Sequence, residues 1–148
     1  MRNAFAILAW AMGVALASLG TASSAGEARA PATFMYILMV DMIGPAANSL
    51  WAAAAAPTLS DQDWTRVKQM TARLTESARS VAFGGTTSGD IERAKSGAWK
   101  SWAAEFTDKV SLAATAVERK DMMAFTAAAD DLLKVCEGCH VAFPQTAR

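Results

Sequence analysis

The chain has 148 residues, the length of one domain, and 53% of them are hydrophobic against 19% charged, which excludes a disordered polymer and allows a large core. Lys plus Arg and Asp plus Glu are equal at 14 each, and no basic stripe runs along the chain, so nucleic acid is not an expected partner. Alanine is abundant, prolines number four and tyrosine one, a balance that suits helices better than sheets.

The first residues read as an export signal. Arg2 supplies a short positive region, and the run from Ala4 to Gly20 is apolar and uncharged. Small residues follow in Thr21-Ala22-Ser23-Ser24-Ala25, with Ser23 and Ala25 at the two recognition positions of a signal-peptidase site. Cleavage is expected after Ala25, leaving a signal peptide of residues 1–25 and a mature domain of residues 26–148. A cut after Ala30 is disfavoured because Pro31 would follow the scissile bond. An uncleaved run would act as a membrane anchor instead. Either way the folded part is expected outside the cytoplasm, in the periplasm, and without stable membrane insertion once the signal is removed.

Four helical stretches follow in the mature chain. The first is expected from Thr33 to Ala55, with Asp41 the one charge in its apolar half, a kink or loosening at Gly44-Pro45, and Pro57 closing it. Ser60 is a good N-cap for the second, and Asp61 and Asp63 favour the positive helix end. Trp64, Val67, Thr71, Leu74, Ala78 and Val81 recur on one face, and Gly84-Gly85 ends the helix. Residues 84–97 read as a surface loop with a short turn at Ile91 to Ala94.

The third helix starts near Gly97 after Ser96, with Trp99, Trp102, Phe106, Val110, Ala113 and Val117 as its stripe. A short charged link, Glu118-Arg119-Lys120-Asp121, makes the last two helices antiparallel neighbours. Phe125, Ala129, Leu132, Cys136, Cys139 and Phe143 form the stripe of the fourth, which Pro144 stops. The expected architecture is all-α, an antiparallel up-down-up-down four-helix bundle.

Chemistry concentrates at the end of that fourth helix. Cys136-Glu137-Gly138-Cys139-His140 is a C-x-x-C-H sequence, the attachment motif of haem c. Two thiols about one turn apart can each form a thioether with a haem vinyl group, and the next residue is then held under the iron as proximal ligand. Gly138 leaves room for the porphyrin edge to approach the backbone. A disulfide or thiol redox pair is the competing reading, but that motif belongs at a helix start after a strand. A zinc site would need further ligands, and the chain has two cysteines and one histidine in all, every one inside this motif.

The sequence resembles the cytochrome c′ family, including its low-spin relatives, exported four-helix bundles with C-x-x-C-H close to the chain end. The resemblance covers Thr33 to Phe143 and is strongest at Cys136 to Phe143 and in Ile37 to Trp51, whose Pro45-Ala46-Ala47 and Leu50-Trp51 match a bacterial subgroup. The chain departs from the family at Pro144, where many members have a basic residue, and in lacking the usual arginine of the first helix. The resemblance implies haem near the C-terminal helix, with the first helix supplying the distal side of the iron. The family's distal position falls on Met39, with Met42 and Met35 as alternatives. Methionine there implies a six-coordinate electron carrier, since a thioether is a soft iron ligand; each of these methionines also serves as core filler in the plainer reading.

The expected function is therefore periplasmic electron transfer by one covalent haem with His140/Met39 ligation, not enzymatic catalysis. A five-coordinate cytochrome binding nitric oxide or carbon monoxide is the alternative, and a haem-free thiol redox module a third. A redox partner protein is implied. Phe34, Met35, Tyr36, Ile37, Leu38, Val40 and Ile43 wrap most of the first helix, more than one bundle stripe needs, so a homodimer through that helix is expected beside the option of deep burial.

Overall fold

The computed structural model of the protein describes residues 34–144, and every regular element among them is a helix. The described residues all belong to one compact unit, Pro31–Arg148. The expected signal peptide, with its cuts after Ala25 or Ala30, lies outside the described residues.

The first helical stretch, Phe34–Ala54, has three parts: α1 (Phe34–Ile37), a π-helical turn (Leu38–Ile43) and α2 (Gly44–Ala54). Sequence explains the wide turn. Pro45 has no N–H to return to the preceding turn, and the N–H of Gly44 reaches the carbonyl of Met39, five residues back. The loosening expected at Gly44-Pro45 is thus a π-helical turn just before it.

Helix α3 (Asp61–Phe83) opens on a reciprocal cap. Ser60 Oγ accepts from the Asp63 N–H at 3.2 Å, and the Ser60 N–H donates to Asp63 Oδ2 at 3.1 Å. All six stripe residues from Trp64 to Val81 are buried. Gly84 ends the helix at φ +103°, a conformation that favours glycine.

The segment that follows is more ordered than its composition implies. Instead of a short turn at Ile91 to Ala94, helix α4 spans Ser88–Lys95. Thr87 caps it by accepting from the Asp90 N–H, and Asp90–Arg93 and Glu92–Lys95 pair one turn apart. Local capping and pairing outweigh the glycines and serines that favour a loop.

Helix α5 (Gly97–Glu118) starts at Ser96, whose Oγ accepts from the Trp99 N–H, and α6 (Met122–Ala142) starts at Asp121, which accepts from the Ala124 N–H. Helix α2 packs on α3 and on α6, α3 on α5, and α5 on α6, while α4 rests on α3 and α5. Phe125, Leu38, Leu50, Leu74 and Leu132 are fully buried at the centre. Each such side chain contributes about 1.5–3 kcal/mol by leaving water. Trp64 meets Phe125 edge-on at 5.8 Å, and Trp51 Nε1 donates to the carbonyl of Ala129 at 3.1 Å, tying α2 to α6.

By length and composition Phe34–Ala54 passes as a membrane-crossing helix. Its Met35, Leu38, Ile43, Ala46, Ala47 and Leu50 are nevertheless buried within the fold. Phe34, Tyr36, Ile37, Val40 and Met42 remain exposed along its first half.

Candidate functional site

The last two turns of α6 carry Cys136, Cys139 and His140, and the structure brings these three together. Phe125, Ala129 and Leu132 are buried earlier on the same stripe, so the helical repeat carries Cys136 and Cys139 toward the core edge, where both are half-buried free thiols. His140, one position on, is exposed. The Phe143 N–H donates to the carbonyl of Cys139 at 2.8 Å and closes the helix.

Two aromatic rings hold this end. Trp99 is buried, donates through Nε1 to the carbonyl of Val81 at 2.9 Å, and meets Phe143 edge-on with centroids 5.1 Å apart. Half-buried Trp102 lies directly on the backbone of Gly138: a Cβ there would fall 2.8 Å from Cζ3 and 3.0 Å from Cζ2 of the indole, and nearer still to Cη2. The space expected above Gly138 is thus occupied by Trp102. The helical repeat puts Trp102 on the stripe of α5, as core or as lining of a haem pocket, and carries no signal for this contact with another helix.

Burial pushes the Cys136 thiol up to about 11, helped by the neighbouring Cys139 and Glu137, and burial raises Cys139 as well. Both also stand near the negative end of α6, which disfavours a thiolate. Dithiol oxidoreductases need the opposite, a thiolate stabilised near neutral pH. No group of three or more His, Cys, Asp or Glu side chains that could hold a metal ion occurs among the described residues.

The three motif residues fit a covalently held porphyrin. Two free thiols lie one turn apart on a single face, an accessible imidazole follows, and the glycine between them presents bare backbone once Trp102 moves aside.

The methionines fall in three environments. Met35 is buried at 5% exposure, Met39 is half-buried against the core, and Met42 is 40% exposed. A regular α-helix would put all three on one face; the π-helical turn between them rotates Met42 toward solvent. That turn packs on α3, and within the first helical stretch it is α2 that packs on α6. Grooves of about 400 Å³ between α3 and α5 and about 360 Å³ between α2 and α3 are lined by other residues, none of them from the motif.

No protein-family model matches the chain, and no curated protein matches it.

Proposed function

We propose that this protein is an exported c-type cytochrome, an antiparallel up-down-up-down four-helix bundle of the cytochrome c′ kind with one covalent haem at the end of its last helix. Cys136 and Cys139 hold the haem, His140 is the proximal ligand and Met39 the distal one, and the role is periplasmic electron transfer rather than catalysis. The observation that carries this reading is the single turn in which two free, half-buried thiols stand beside an accessible imidazole. The helix pairs in contact are those of a closed four-membered ring, α2–α3–α5–α6, which supports the bundle.

The bound haem would supply one-electron iron chemistry. The chain's own part is attachment, orientation and burial. Trp99 and Phe143 brace the turn that carries His140, and Trp102, which rests on the backbone between the thiols, would give way to the porphyrin edge. Met39 is preferred as the distal ligand because it lies half-buried at the core edge; Met35 is enclosed in the core and Met42 points to water. Thioether ligation would raise the reduction potential. The exposed Phe34, Tyr36, Ile37, Val40 and Met42 support a homodimer through the first helix. The redox partner is a second protein.

The test is the mass and absorption spectrum of protein matured in an exporting host. A mass increase of one haem with a weak far-red ferric band, insensitive to carbon monoxide, is the expected result. A high-spin spectrum that changes with carbon monoxide or nitric oxide would assign the five-coordinate gas binder instead. An unmodified mass would leave only a thiol module.

A further inference from the structure

Asp90 is the one charged residue buried among those described, at 5% exposure. Its Oδ1 accepts from Nη1 of Arg93 at 3.0 Å, but its Oδ2 is enclosed without a hydrogen-bond partner. Gly85 makes the room: a Cβ there would fall 2.8 Å from Oδ2. A buried, half-satisfied carboxylate destabilises its surroundings. What it achieves is to fix the Arg93 guanidinium, whose Cζ stands 5.9 Å from the centroid of the Trp99 ring.

Trp99 in turn packs on Phe143, which follows the C-x-x-C-H turn, so this cation stands at the same end of the protein as the motif. Nη1 is the only Arg93 side-chain nitrogen with a hydrogen bond among the described residues, which leaves the Nη2 and Nε donors of the planar fork free. Arg93 is also partly open, with 41% of its side chain exposed. The other cation of α4, Lys95, is engaged by Glu92 at 2.6 Å. A guanidinium held by Asp90 over the Trp99 ring, with free donors, matches a carboxylate in two-point contact. Haem carries two such carboxylates, its propionates, on pyrrole rings other than those bearing the vinyl groups, so their partner belongs at a remove from the thiols.

We propose that Arg93, held by Asp90 and Trp99, is the binding residue for a haem propionate, an inference that rests on the haem reading above. The experiment titrates the haem-free full chain with iron protoporphyrin IX and with its dimethyl ester, which lacks both carboxylates. The chain prefers the diacid. Arg93→Met reduces that preference by about tenfold, the size of one charged hydrogen bond, while ester binding stays as it was. Arg93→Lys keeps part of the preference, and Asp90→Asn, which leaves the cation but loosens it, falls between. Equal weakening of both porphyrins would show a structural role and overturn the proposal, as would an unchanged preference in Arg93→Met. If the unmodified chain shows no preference for the diacid, this inference fails; the haem reading fails with it only if protein matured in an exporting host also carries no covalent haem by mass.

Discussion

Trp102 and Gly138 are in direct contact across the α5–α6 interface, the indole edge resting on the bare backbone between the two cysteines. A methyl group at position 138 cannot coexist with the ring where it stands. The colliding atoms are the far end of a half-buried side chain, so the ring yields rather than the α6 backbone.

Gly138→Ala is therefore expected to swing Trp102 outward, seen as a red shift in tryptophan emission. Replacing glycine within a helix gains up to about 1 kcal/mol of propensity, against about 1–3 kcal/mol for overpacking. The net loss should be about 1 kcal/mol by urea denaturation. In a Trp102→Ala background the clash is gone, and the same Gly138→Ala change should become stabilising.

Met39→Leu should convert the matured protein to a high-spin form that binds carbon monoxide, with loss of the weak far-red ferric band. Met42→Leu should leave the spectrum unchanged, because Met42 is turned to solvent by the π-helical turn. If the two variants exchange these outcomes, Met42 is the distal ligand.

Trp99→Phe keeps the ring against Phe143 but removes the Nε1 donor to the carbonyl of Val81. A buried acceptor left without its partner costs about 1–3 kcal/mol. Chemical denaturation of the haem-free chain should read a loss of that size.

Ser60→Ala removes the cap of α3 and should cost about 1 kcal/mol. It also changes the acid limb of stability. Hydrogen bonds from the side chain and backbone of Ser60 hold the Asp63 carboxyl below its ordinary value of 3.8, with Arg66 adding a smaller effect. A carboxyl depressed in the folded state contributes stability above its unfolded value, and that contribution is lost as pH falls through the lower folded value. Melting temperature against pH should fall less steeply below about pH 4 in Ser60→Ala than in the unmodified chain.

Val40→Lys places a charge on the exposed side of the first helix, where Val40 is 50% exposed. Sedimentation should show monomers in place of the proposed dimer, with far-ultraviolet circular dichroism unchanged. An unaltered mass in solution would remove that face from the interface.

Much of the fold was legible because its signals are local. The caps at Ser60, Ser96 and Asp121 and the stripes of α3, α5 and α6 follow from side-chain chemistry and the helical repeat over a few residues. Helix α4 is longer than its sequence suggests, since the composition of Thr86-Thr87-Ser88-Gly89 favours a loop and hides the Thr87 cap. Helical periodicity also put Met35, Met39 and Met42 on one face. It assumes a constant turn, which Pro45 breaks.

The C-x-x-C-H motif is a purely local feature of the chain. Cys136, Cys139 and His140 lie within five residues, and one helical turn suffices to put two thiols and an imidazole side by side. What surrounds them comes from the packing of the helices. Trp102 reaches Gly138 from another helix, and Arg93 is tied to the motif's end through Trp99 and Phe143, where the long-range contacts join positions 36 and 44 residues apart. Such pairings depend on how whole helices pack, and no repeat within one helix encodes them.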